Sequence, residues 1–139
     1  MATTSSALVI VVDDELTVRS TARAILTRAG HEVHSADNGR AALALLTGLG
    51  RAADVVVLDW TLPDLPGAIL LSEIRRLSPR CRVIVSTGFG REDLMLPPSE
   101  VDAVQFLEKP YTAAALVAAV AATLGAECSQ DPTAGESGD

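Results

Sequence analysis

Three apolar runs stand out along the chain: Ala7–Val12, Val55–Leu58 and Arg82–Val85. They are rich in β-branched residues and too short for helices, so they read as strands buried on both faces of a parallel sheet. Two weaker segments, Glu32–Ala36 and Ala103–Leu107, supply a second and a fifth strand in chain order. Between them, apolar residues recur at helical spacing. Val18, Ala22, Ile25, Leu26 and Ala29 mark a first helix, with Arg19, Arg23 and Arg28 off the stripe and Gly30 as its stop. Asp37 or Asn38 caps a second helix running to about Thr47. Pro66 suits the first position of a third, with Leu70, Leu71, Ile74 and Leu77 on its apolar face and Ser78-Pro79 at its end. Arg91–Leu96 predicts a short fourth helix, cut off by Pro97-Pro98. Thr112 caps a fifth, whose buried side is Leu116, Val117, Val120 and Leu124 and which Gly125 ends.

Five strands alternating with five helices call for an α/β fold, a doubly wound five-stranded parallel sheet with short, right-handed crossovers. One domain is expected over residues 7–124. Residues 1–6 read as a disordered lead-in, and residues 125–139, polar with Pro, Gly and Ser, as a disordered tail or linker.

The strand ends carry the candidate chemistry. The first run stops at Asp13-Asp14, the central run at Asp59, and the third at Ser86-Thr87. In open parallel sheets ligands gather at the carboxyl ends of the strands. If these strands are neighbours, three carboxylates and a hydroxyl meet at one edge. Two unit charges about 4 Å apart repel by roughly 4 kcal/mol at an effective dielectric of 20, so a proton or a cation must offset the cluster. An all-oxygen ligand set suits Mg²⁺. Asp14 and Glu15 also suit the start of a helix, where its dipole favours negative charge, but that does not account for Asp13.

Composition narrows the partners. The 139 residues are 48 % apolar, 21 % charged and 3 % aromatic, so the core is built from Ala, Val, Leu and Ile. A net charge of −7 argues against a nucleic-acid-binding surface. No apolar run is long enough to span a bilayer, and no signal peptide is recognised. Cys81 and Cys128 have no metal-ligand spacing and read as free thiols, which fits a cytoplasmic location. His31 and His34 read as surface residues.

The marks at the strand ends form a pattern. Asp13-Asp14 follows the first strand, Asp59 the third with Pro63 and Gly67 behind it, Thr87-Gly88 the fourth, and Lys109-Pro110 the fifth. In this order they resemble the receiver domain of two-component response regulators, over Ala7–Leu124. The strings Ser86–Gly90 and Lys109–Thr112 resemble receivers attached to hybrid sensor histidine kinases. The resemblance implies a flavodoxin-like (βα)5 fold with strand order 2-1-3-4-5. It implies that Asp59 is the phosphoacceptor. Asp14, Asp59 and the Thr61 backbone carbonyl would bind Mg²⁺, or Mn²⁺ in its place, with Asp13 acting through water. Lys109 would pair with the phosphoryl oxygens, Thr87 would donate to them, and Phe106 would be the switch aromatic. The Lys109-Pro110 bond is expected to be cis. Lacking a tyrosine hydroxyl, Phe106 is expected to favour its inward rotamer. Trp60, beside the acceptor, is either a partner contact or a limit on access.

The function implied is a phosphorylation switch, not a true enzyme. It would be loaded by a sensor histidine kinase or a histidine phosphotransfer protein, and would signal by contact with an unknown downstream protein. The responding face, built from the fourth helix, fifth strand and fifth helix, is also where two copies would pair as a homodimer. Two alternatives stand beside it. One is a phosphorylation-independent scaffold. The other is an aspartyl-phosphate phosphatase of the haloacid dehalogenase type, which needs a carboxylate where Thr61 stands.

Overall fold

A computed structural model describes residues 6–49, 52–88, 96, 100 and 103–129. Five strands, β1 (Leu8–Val12), β2 (Glu32–Ala36), β3 (Val55–Asp59), β4 (Arg82–Thr87) and β5 (Val104–Glu108), form one parallel sheet in the order β2-β1-β3-β4-β5. Four helices are described: α1 (Leu16–Arg28), α2 (Gly39–Gly48), α3 (Gly67–Leu77) and α4 (Ala113–Ser129). The expected helix over Arg91–Leu96, its Pro97-Pro98 stop and the Phe89-Gly90 turn lie outside the described residues, apart from Leu96 itself.

Strand position explains the hydrophobic pattern. β1 and β3 have strands on both sides and helices on both faces, and every residue in them is buried. The edge strands β2 and β5 are mixed in burial. Alternation along the strands sends side chains to two cores. Val56, Leu58, Val83 and Val85 pack with Ala42 of α2 and Leu70, Leu71 and Ile74 of α3. Val9, Val11, Val55, Val57 and Ile84 pack with Ala22 and Leu26 of α1 and Leu116 and Val120 of α4.

The helix ends follow local chemistry, with two corrections. Asn38 is the residue that caps α2, accepting from Ala41 N at 2.8 Å. Thr112 caps α4, its Oγ1 accepting from Ala115 N at 3.0 Å. Gly30, at φ +100°, takes the left-handed turn after α1 that favours glycine. Pro66 is the residue before α3 rather than its first helical residue; its extended ψ of 146° sets the entry. Arg19, off the apolar stripe as expected, donates from Nη1 to the Asp13 carbonyl at 2.8 Å. Most plainly, α4 does not stop at Gly125 but runs to Ser129. Gly125 is exposed with open space where a Cβ would stand, and a helical glycine costs only about 1 kcal/mol relative to alanine. The expected tail therefore begins inside a helix.

His31 and His34 are half-buried rather than fully solvated: His31 Nδ1 accepts from Ala7 N at 3.1 Å, and His34 meets Glu32 at 2.9 Å. Cys81 is a buried thiol outside any disulfide, its Sγ donating to the Arg82 carbonyl at 3.4 Å. Among the described residues no helix is long and apolar enough to cross a membrane.

Candidate functional site

Parallel pairing aligns the strand ends. β1 runs beside β3 and β3 beside β4, with Asp59 opposite Ser86. Asp13 leaves β1 one residue past its end and stays tied to the sheet, its N–H donating to the Ala36 carbonyl at 3.1 Å. The result is that one oxygen from each of Asp13, Asp14 and Asp59 lies within 4.8 Å of the others. Asp13 and Asp59 are buried and Asp14 is exposed.

The cation facing this cluster is Lys109, one residue past β5. Its Nζ lies 2.8 Å from Asp13 Oδ2 and 3.4 Å from Asp59 Oδ2. The Lys109-Pro110 peptide is cis. The second carboxylate oxygen of Asp13 and that of Asp59 are also held. Asp13 Oδ1 accepts from Glu15 N at 2.9 Å, and Asp59 Oδ1 accepts from Thr61 N at 3.2 Å.

Burial and charge leave a deficit of positive charge. Burial pushes the Asp59 carboxyl up to about 6. The Thr61 N–H and the Lys109 charge pull it down, while the Asp13 charge pushes it further up. Burial disfavours the Lys109 ammonium, but the Asp13 hydrogen bond and the two carboxylate charges outweigh this and leave its pKa raised. Tyr111, next along, is also pushed up, first by burial and then by the Asp13 charge. Among the described residues, the three carboxylates meet one ammonium at ion-pair distance, which leaves negative charge to be offset. A divalent cation with oxygen ligands matches that deficit, and the donor set suits Mg²⁺.

Thr87 ends β4, one residue past the Ser86 that pairs with Asp59, and Phe106 lies in the neighbouring β5. Alternation places Thr87 with Val83 and Val85, and Phe106 pairs with Val85 in register. Thr87 is buried, and the half-buried Phe106 packs against the same core rather than standing fully outward. The Thr87 carbonyl accepts from Lys109 N at 2.8 Å, so the backbone that carries the hydroxyl also fixes the lysine.

The loop after Asp59 is tightly built. Trp60 N donates to the Ser86 carbonyl at 3.0 Å, and Thr61 and Pro66 form an antiparallel bridge. The Trp60 ring lies over Gly67, where any Cβ would run into it. Trp60 is thus half-buried packing, not a fully exposed contact.

Two features were not visible in the sequence. Asp64 accepts hydrogen bonds from α2, and Arg75 of α3 makes a paired contact with Glu100, with nitrogen–oxygen distances of 3.1–3.2 Å. A lone Asp between prolines reads as a turn residue, and neither contact leaves a periodic signal.

Comparison with known proteins bears on this arrangement. The family model of the response regulator receiver domain matches residues 9–121. The chain is 31 % identical over 113 residues to the chemotaxis protein CheY of Thermotoga maritima, covering 81 % of this chain and 92 % of that protein. It is 36 % identical over 108 residues to the sensor kinase CckA of Brucella abortus, covering 77 % of this chain but only 11 % of that protein. A solved response regulator receiver domain protein from Clostridium thermocellum superposes with a TM-score of 0.76 at 30 % identity, over 87 % of this chain and 96 % of that one.

Proposed function

The chain belongs to the response regulator receiver domain family, and on that premise we propose that it is a phosphorylation switch whose acceptor is Asp59. The observation that carries the reading is the convergence of Asp13, Asp14 and Asp59 opposite the Lys109 ammonium.

The donor is a phosphohistidine of a sensor histidine kinase or a histidine phosphotransfer protein. An Asp59 carboxylate oxygen forms a bond to phosphorus, the phosphorus–nitrogen bond breaks, and its electron pair returns to the imidazole. A carboxylate attacks a dianionic phosphoryl group poorly until that charge is offset. Asp14, Asp59 and the Thr61 carbonyl, with Asp13 through water, would hold Mg²⁺ or Mn²⁺, which supplies part of the neutralisation. Lys109 supplies the rest, moving from its carboxylate partners to the phosphoryl oxygens. Thr87 donates its hydroxyl to the same oxygens.

The acyl phosphate adds negative charge and three acceptor oxygens at the end of β3. Drawing Thr87 toward them changes the packing around Phe106, and the face formed by β5 and α4 responds. That face would contact a downstream protein or a second copy of the chain, in the cytoplasm.

Incubation with acetyl phosphate and Mg²⁺, followed by intact mass, tests the reading. A labile adduct, absent in Asp59→Asn, is expected. No adduct on the wild-type chain would favour the scaffold, and fast turnover of many phosphate esters the phosphatase.

A further inference from the structure

The loop after Asp59 is anchored at its far end by a residue with no part in the acidic cluster. Asp64 places Oδ1 2.8 Å from Gly39 N and Oδ2 3.0 Å from Arg40 N. These are the first two N–H groups of α2, and the helix's own cap, Asn38, serves only the third, Ala41 N. Orphan donors at a helix start need such partners, and the positive end of the helix dipole favours a carboxylate there. Burial pushes the Asp64 carboxyl up, but the Gly39 and Arg40 N–H groups, with its own N–H and the Arg40 charge, together hold it below the usual range. The exposed Arg40 guanidinium, 4.0 Å away, adds little.

The neighbouring contact reinforces the anchor. A Cβ at Gly39 would stand 2.8 Å from Leu65 Cδ1 and 3.2 Å from Leu65 Cβ, so α2 and the loop meet with no room between them. At the other end, Trp60 N holds the loop to β4, and the Thr61–Pro66 bridge closes it on itself. The Thr61 peptide, whose N–H lies 3.2 Å from Asp59 Oδ1, is therefore fixed from both sides.

We propose that Asp64 is a positioning residue for the cation site: by clamping the loop onto the start of α2, it sets the Thr61 peptide beside Asp59. The proposal rests on the metal-dependent reading above. Asp64 touches neither the cation nor the phosphoryl group, and acts through Thr61.

Trp60 is the single tryptophan of the chain and adjoins the acceptor, so its fluorescence reports a titration with MgCl₂. Four full-length chains are compared: wild type, Asp64→Ala, Asp64→Asn and Asn38→Ala. Asp64→Ala is expected to raise the half-saturating Mg²⁺ concentration about tenfold, as loss of a partner behind a ligand does. Adduct yield from acetyl phosphate at saturating Mg²⁺ is retained. Asp64→Asn, with one acceptor oxygen left, falls between. Asn38→Ala removes a cap from the same helix without touching the loop, so it melts lower but titrates like wild type.

Equal half-saturation in wild type and both Asp64 variants overturns the proposal. Equal weakening by Asn38→Ala also overturns it, because the effect is then only helix stability. If Asp64→Ala does not fold, the comparison of Asp64→Asn with Asn38→Ala decides. A wild-type chain that shows no Mg²⁺ response overturns the metal reading itself, and is distinguished because all four titrations are then flat.

Discussion

Lys109 Nζ lies closer to Asp13 than to the proposed acceptor, 2.8 Å against 3.4 Å. The lysine is thus engaged with the acidic cluster, and on the proposed reading it changes partners when a phosphoryl group arrives. Lys109→Ala frees both carboxylates for a cation while removing the charge that meets the phosphoryl oxygens. Mg²⁺ affinity is expected to rise a few-fold while the rate of adduct formation falls about 100-fold or more. A Mg²⁺ titration and a mass time course with acetyl phosphate, run on the same preparation, check both directions. Loss of Mg²⁺ binding in this variant would contradict the account.

The raised carboxyl of Asp59 makes metal-free stability depend on pH. Between about 4 and 6 the folded chain holds a proton that the unfolded chain has released. Stability contributed by this group is therefore greatest at low pH and is lost as pH rises through about 6. The loss is on the order of 2–3 kcal/mol. In EDTA, urea unfolding is expected to show Asp59→Asn more stable than wild type at pH 7.5, with the difference shrinking toward pH 4. Mg²⁺ restores the wild type at pH 7.5, because a ligand that binds only the folded chain stabilises it.

On the proposed reading Thr87 links the phosphoryl group to the packing around Phe106. Thr87→Ala removes the hydroxyl but not Asp59, so an adduct is still expected. What should shrink is the response of β5 and α4. Amide chemical shifts recorded before and after acetyl phosphate provide the measurement. Wild-type-sized changes at Gln105–Glu108 in Thr87→Ala would show that the hydroxyl is not the link.

Two glycines should respond oppositely to alanine. Gly67 lies under the Trp60 ring, so Gly67→Ala forces the ring or the α3 entry to move. Overpacking of this kind costs about 1–3 kcal/mol. Gly125 sits in open space inside α4, so Gly125→Ala is expected to stabilise by up to about 1 kcal/mol. Thermal melts of both variants, with Trp60 fluorescence for the first, give the comparison.

The Gly125 correction shows where sequence reading runs short. A glycine after an apolar stripe looks like a stop, but the stop needs a left-handed turn, and only Gly30 among the described residues adopts one. Gly125 does not adopt it and stays helical. Asn38 against Asp37 was a similar ambiguity: both side chains suit a cap, and only the backbone path decides which one reaches Ala41 N.

By itself the sequence determined the strands, their order of appearance and the residues that end them. Those properties follow from short-range physics: buried strands need unbroken apolar runs, and loops need Pro, Gly and Asp. The same reading placed Asp13, Asp14, Asp59, Thr87 and Lys109 at strand ends. Tertiary structure decided which oxygens face one another, that Lys109 bridges Asp13 and Asp59, and that Asp64 clasps a helix formed 25 residues earlier. Such contacts join points far apart along the chain through single polar groups, and one hydrogen bond or ion pair leaves no periodic trace in the residues around it.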